Sequence, residues 1–222
     1  MGVSAGLLPP HWLWLCHLLY LGLLVSAIRH AEWHRLWDHR SLQHLLGAAI
    51  VGLMLLWQIR AGISPGLEIH FLGLTALTLA VGWSFAVIAS SVALLGTTLV
   101  GSEVGEAFSF NALIACIVPI SLSYLVCIIE RYVGFRLFFA YIFICAFFGG
   151  ALAVVGAGLL IAWLLWLADA YSMREIIDYF LIYLPLIAFP EGVVNGTIIT
   201  GMLVYMPQYL KTLQPERYSG QS

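Results

Sequence analysis

Residues 69–102 read IHFLGLTALTLAVGWSFAVIASSVALLGTTLVGS, and the division of this run decides the fold. It contains no Asp, Glu, Lys or Arg and is well over the roughly 20 residues that carry a helix across a bilayer core. Kept whole it is one overlong span. Cut at Gly82-Trp83-Ser84 it becomes two short helices of opposite direction. Working outward, the other apolar runs are His11 to Ile28, His44 to Ile59, Asn111 to Ile129, Leu137 to Ala168 and Leu181 to Met206. The positive-inside rule arbitrates. With the cut at Gly82 and Leu137 to Ala168 left as one long helix, seven spans result and the N-terminus lies outside. Arg29, Arg35, Arg40, Arg131, Arg136, Lys211 and Arg217 then lie inside, and only Arg60 and Arg174 outside. Breaking the Leu137 to Ala168 run at Gly149-Gly150 as well weakens that asymmetry and moves the C-terminus outside.

Composition agrees with this class. The chain of 222 residues is 62% hydrophobic and 9% charged, with a mean hydropathy of +1.00, so it reads as an integral membrane protein. A net charge of -2 without a Lys/Arg block excludes nucleic acid as a partner. The expected architecture is an all-α, compact bundle of seven transmembrane helices, N-terminus outside and C-terminus cytoplasmic. A single membrane domain covers 1–206 and a short polar cytoplasmic tail, expected to fray, covers 207–222. Small residues at Gly47-Ala48-Ala49, Gly149-Gly150-Ala151 and Gly192 with Gly196 suit close helix packing. Cys16, Cys116, Cys127 and Cys145 lie in apolar runs without C-x-x-C spacing and read as small apolar helix residues. The segment Arg29 to Gln43, with Trp33 and Trp37 four apart, reads as an interfacial amphipathic turn.

Against this background the chemistry-bearing residues are few. Glu191 and Asn195 stand in Phe189-Pro190-Glu191-Gly192-Val193-Val194-Asn195-Gly196-Thr197, inside a run with no other charge. An intramembrane carboxylate is costly unless partnered, protonated or facing a cavity, so it marks a candidate site. Its depth favours a helix-packing or coupling role beneath a binding site rather than first contact with a substrate. Among seven histidines, His70 is the strongest candidate ligand, read here as opening a short helix after a Pro/Gly loop; His11 and Glu68 are secondary candidates. His30 and His34, spaced i, i+4 with Asp38 a turn further, could form an inner metal patch, against the simpler reading of an interfacial cluster. An enzyme is not expected. Gly82-Trp83-Ser84-Phe85 superficially resembles the serine motif of rhomboid proteases, but no His follows His70. Glu191 also lacks the second Glu of the CAAX-type membrane proteases.

Four segments then carry a resemblance over nearly the whole chain. Gly6-Leu7-Leu8-Pro9-Pro10-His11-Trp12, Gly66-Leu67-Glu68-Ile69-His70-Phe71-Leu72-Gly73, Phe110-Asn111 with Pro119, and Pro185-Leu186-Ile187-Ala188-Phe189-Pro190-Glu191-Gly192 are similar, in order and spacing, to the CbiM/NikM-type permeases. These are the substrate-binding membrane subunits of energy-coupling factor (ECF) transporters for cobalt and nickel. The resemblance implies seven helices with an extracytoplasmic N-terminus, and an N-terminal segment folded into the bundle from outside. It also implies a metal held by a His at the second position and a His in the loop before the third helix. This chain departs from that pattern. Its second residue is Gly2, the acidic position before the glycine is Ala5, and the loop reads Ile63-Ser64-Pro65-Gly66 without a His. It thus resembles a divergent member lacking the N-terminal His loop, with His70 and His11 as candidate substitutes.

The expected function is a permease component that takes up a divalent transition metal, cobalt- or nickel-like, or a small metal-related solute. Its site would be His70, His11 and Glu68, with Glu191, Asn195 and Asn111 as inner polar lining or coupling groups. The metal is substrate; no covalently bound cofactor is expected. No G-x-x-x-x-G-K-[ST] P-loop occurs in the sequence, so energy coupling would need separate ATPase and scaffold subunits. The rival reading is a non-transporting accessory subunit or assembly factor for a membrane metalloenzyme. Membrane lipid is a partner under both readings, and the expected location is the bacterial inner (plasma) membrane.

Overall fold

A computed structural model describes residues 1–64, 67–101, 105–135 and 137–213. Pro65 and Gly66 of the loop, Ser102, the basic markers Arg136 and Arg217, and tail residues 214–222 lie outside the described residues. The helices are α1 (Pro10–His30), α2 (Trp33–Asp38), α3 (Arg40–Leu56), α4 (Leu74–Leu99), α5 (Gly105–Val133), α6 (Phe138–Leu167), α7 (Met173–Tyr179) and α8 (Leu184–Tyr205). The stretches α1, α4, α5, α6 and Met173–Tyr205 are each long and apolar enough to cross a membrane, and α3 is a shorter apolar helix. On α1 only Tyr20 and Ala27 are buried, while Trp14, Leu15, Leu18 and Leu19 are exposed, the pattern of a helix facing hydrocarbon. The chain is a mostly helical membrane protein.

The run that decides the fold does divide at Gly82. This residue sits at φ 82°, ψ 171°, a region open essentially to glycine alone. A Cβ on Gly73, just before α4, would lie 3.0 Å from Leu56 and 3.3 Å from Leu53; a Cβ on Gly96, near its far end, would meet the Met54 side chain. A straight helix would separate residues 73 and 96 by about 34 Å, yet both touch one turn of α3. The chain therefore folds back at Gly82 into two limbs, α4a (residues 74–81) and α4b (residues 83–99). By contrast α6 runs unbroken through Gly149-Gly150. It contains a π-helical stretch at Tyr141–Phe148, as α5 does at Ala112–Ile117.

The glycines work as expected at two contacts. A Cβ on Gly192 would lie 2.8 Å from the Phe147 carbonyl oxygen, and one on Gly150 would lie 3.1 Å from the Asn195 amide, so α8 and α6 meet backbone to backbone. Cys116, Cys127 and Cys145 are buried, and Cys16 is partly exposed.

Three expectations change. First, a small antiparallel sheet joins the helices, in the order β1 (Gly2–Val3), β3 (Leu67–His70), β2 (Arg60–Ser64). Leu67 and Ile69 are buried and Glu68 between them is half-buried, the period-2 alternation of a strand, but over too few residues to stand out in the sequence. His70 consequently ends β3 rather than opening a helix. Second, α1 stops at Ala31, which has extended dihedrals (φ -68°, ψ 136°), so His30 and His34 occupy different helices and share no face. Trp33 opens α2 and packs edge-on against Phe85 with 5.6 Å between ring centroids. Third, residues 207–213 are anchored instead of frayed. Leu210, Thr212 and Leu213 are buried, and the backbone N–H groups of Lys211 and Thr212 donate to the carbonyls of Ala80 (2.9 Å) and Leu79 (3.2 Å).

Because the fold-back depends on a conformation that an L-residue resists, Gly82→Ala should cost about 1–3 kcal/mol. The thermal unfolding of detergent-purified protein should fall accordingly, and an unchanged midpoint would show the reversal to be unstrained.

Candidate metal-binding site

At the end of the bundle where α4a begins, the N-terminus enters the protein. Met1 is buried, and β1 lies between β3 and α5, with Gly2 paired to Glu68 and Val3 to Leu67. On its other edge the Asn111 side chain stands in for a neighbouring strand. Its Oδ1 accepts the Val3 N–H at 3.0 Å and its Nδ2 donates to the Val3 carbonyl at 3.2 Å. A two-residue strand would otherwise leave these backbone groups unpaired in an apolar interior, at a cost of several kcal/mol.

This pinning brings the Met1 amine against Nε2 of His70. Nδ1 of His70 lies 2.8 Å from the Phe71 carbonyl, which can only accept. Nδ1 therefore carries the proton, and the Nε2 lone pair faces the amine. An imidazole whose far nitrogen donates to a backbone carbonyl is in the tautomer and orientation of a metal ligand. Burial holds the His70 imidazole well below the usual histidine range; the Met1 ammonium adds to this, while the hydrogen bond to Phe71 acts the other way. Trp57 closes one side, its ring 5.7 Å from His70 between centroids and its Nε1–H donating to the Leu72 carbonyl at 3.1 Å.

Directly beyond, Glu191 binds the backbone that carries His70. Its Oε2 accepts the Leu72 N–H and its Oε1 the Gly73 N–H, both at 2.8 Å. Asn195 donates to Oε1 (2.8 Å) and accepts the Ala76 N–H (2.7 Å). Two side chains of α8 thus serve as the N-terminal cap of α4a, satisfying donors that a helix start leaves open. Gly73, at φ 65°, turns the chain so that both N–H groups face the carboxylate.

The candidates read from sequence therefore separate. His70, Asn111, Glu191 and Asn195 are all buried; Asn111 holds β1, while Glu191 and Asn195 hold the start of α4a next to His70. Glu68 is half-buried on β3 and forms a 2.8 Å ion pair with Arg60, whose guanidinium also donates to the Trp57 carbonyl. His11 is exposed in the first turn of α1, with its ring against Trp12. Among the described residues no group of three His, Cys, Asp or Glu could hold a metal. The donor missed in the sequence is the Met1 amine, a main-chain group with no residue type to reveal it. Trp57 was also missed.

Fold and site together define a multi-span membrane protein whose own N-terminus is folded into the bundle beside a buried imidazole. Residues 3–209 match the CbiM family, the cobalt uptake substrate-specific transmembrane region, and the chain belongs to that family. It is a family of metal-uptake membrane components. A crystal structure of a transition metal transporter aligns at 17% identity with a TM-score of 0.77, over 92% of this chain and 93% of that one. A truncated transition metal transporter aligns at 17% identity and 0.79, over 92% and 99%. At this identity the likeness speaks to the fold. A search of curated proteins returned no match.

Two outcomes are expected. Between the usual histidine value near 6.5 and the lower value of His70, the unfolded chain takes up a proton that the folded chain does not. Stability is therefore full above about pH 6.5 and falls as pH drops below it. His70→Gln should flatten the decline of melting temperature between pH 7.5 and 5.5, and an unchanged slope would remove His70 as its source. Glu191→Ala orphans two buried N–H groups at about 1–3 kcal/mol each. Its melting temperature should drop by several degrees more than that of Glu191→Gln, and equal melting temperatures would show that the carboxylate oxygens do not cap α4a.

Proposed function

We propose that the chain is the substrate-binding permease component of an energy-coupling factor type transporter, taking up a divalent transition-metal ion of the cobalt and nickel kind. The observation that carries this reading is the convergence of the Met1 amine and the neutral Nε2 of His70, the latter oriented by the Phe71 carbonyl. Two nitrogen donors of this kind suit late first-row divalent ions rather than magnesium or calcium. Met1 and His70 are the primary ligands. Backbone groups or water complete the coordination in place of the side chain that Gly2 lacks. Asn111 holds the strand bearing the amine, and Glu191 with Asn195 holds the loop bearing His70. Glu68, charge-paired with Arg60, guards the approach, and His11 is a surface residue near the entry.

In this reading seven spans result from the Gly82 reversal, with the metal end and N-terminus outside and residues 207–213 at the cytoplasmic face of the bacterial inner membrane. ATPase and scaffold subunits are the partners. The family match and the buried pair of nitrogens favour transport over an accessory role.

Calorimetry with nickel or cobalt ions on the purified protein tests the site. His70→Ala should weaken binding at least tenfold, and so should one additional residue ahead of Met1, which moves the amine away from His70. Wild-type affinity in both variants would sink the two-nitrogen site.

A further inference from the structure

The limb α4a is held at both ends by one stretch of chain. Its start is capped by Glu191 and Asn195 of α8. Its end, at the Gly82 reversal, presents the Leu79 and Ala80 carbonyls, which a helix terminus leaves without intrahelical partners. These are taken by the segment that continues α8. Ala80 accepts the Lys211 N–H, and Leu79 accepts both the Thr212 N–H and, at 3.0 Å, the Thr212 hydroxyl.

Thr212 is the centre of this arrangement. A hydroxyl has one hydrogen. Since Oγ1 donates to the Leu79 carbonyl, the Tyr141 hydroxyl 2.7 Å away is the donor in their contact. The Thr212 carbonyl accepts from Arg131 of α5 at 2.5 Å, and Leu210 and Leu213 are buried on either side. The flanking Lys211 pairs with Glu32, the residue that precedes α2. Both ends of that pair are partly exposed, so it contributes little beside the buried hydroxyl bonds. A polar cleft of about 190 Å³, lined among others by Glu32, Gly82, Tyr124, Arg131 and Lys211, opens beside the segment and gives the reversal room to move.

We propose that residues 210–213 are a latch on the cytoplasmic end of α4a and that Thr212 is a positioning residue for metal retention, an inference that rests on the metal-uptake reading above. While Thr212 holds Leu79, α4a is fixed between two anchors of α8 and its continuation, and its far end keeps His70 against the Met1 amine. Withdrawal of the segment frees Leu79 and Ala80, lets the short limb shift toward the cleft, and separates the two metal donors. The Glu191 cap moves with the limb, so the outer and inner ends respond together. By linkage, a latch that raises the equilibrium affinity for metal is itself strengthened by metal.

The test uses the full chain in lipid nanodiscs, loaded with nickel or cobalt ions. Hydrogen–deuterium exchange over residues 208–213 and the rate of metal release to a chelator are measured for wild type, Thr212→Val and Thr212→Ser. In the wild type, metal loading should slow exchange over 208–213 at least fivefold. Thr212→Val should speed metal release at least fivefold and lose the metal-dependent protection, while Thr212→Ser, which keeps the hydroxyl, should match wild type on both. Tyr141→Phe removes the hydroxyl that donates to Thr212 and should likewise speed metal release; if Thr212→Val does not fold, a wild-type release rate in Tyr141→Phe overturns the latch. Faster exchange with wild-type metal release would reduce the segment to packing and overturn the latch. A wild-type protein that binds neither ion would instead overturn the metal reading, and the latch inference with it.

Discussion

The arrangement depends on the Glu191 carboxylate and the two backbone N–H groups, of Leu72 and Gly73, that it accepts. A helix start in an apolar interior leaves N–H groups that water cannot reach, and a carboxylate at the same depth is equally costly alone. Each removes the penalty of the other. Asn195 extends the solution by one turn, bonding Glu191 and the Ala76 N–H at once. Because the capped loop is the one that carries His70, the same bonds that make α4a possible also fix the candidate ligand.

That constraint explains why α4a can be so short. At about 1.5 Å per residue a limb of eight residues covers less than half of a hydrocarbon core of about 30 Å, so it traverses the bundle only together with the segments packed at its two ends, and its ends must be satisfied within the protein. At one end the space above is filled by a sheet that includes the N-terminus, with Asn111 closing the edge of β1. At the other, the reversal at Gly82 is closed by residues 211 and 212. Broken helices of this kind place polar backbone at membrane depth only where protein surrounds it, and here the surroundings are the sheet at one end and residues 211–212 at the other.

Much of this is legible in the amino-acid sequence where a residue type is unusual for its place. Gly82 in a long apolar run marked the reversal, and Glu191 with Asn195 in a chargeless run marked a buried polar centre. The glycines at 150 and 192 marked the close approach of α6 and α8. What could not be read was main-chain chemistry. The sheet spans only a few residues per strand, below the length at which alternation becomes a signal, so His70 was placed on the wrong element. Asn111 looked like cavity lining, although its amide imitates a strand. Thr212 sits in a segment too polar to suggest burial, because its partners, the carbonyls of Leu79 and Ala80, are exposed only once α4 has folded back.

The same limit bears on the departure at position 2. The resemblance implies an imidazole at this position, so by residue type alone Gly2 makes the site look lost. Yet the amine of Met1 is a donor that no side-chain substitution can delete, and its location depends on the path of the backbone rather than on the residue at position 2. That path is set by β3 on one side and by Asn111 on the other, neither of which requires a side chain on Gly2. The geometry that brings an amine to His70 is therefore independent of the substitution that seemed to abolish it. On the proposed metal reading, Gly2 lowers the number of side-chain donors without moving the place where the Met1 amine and His70 meet.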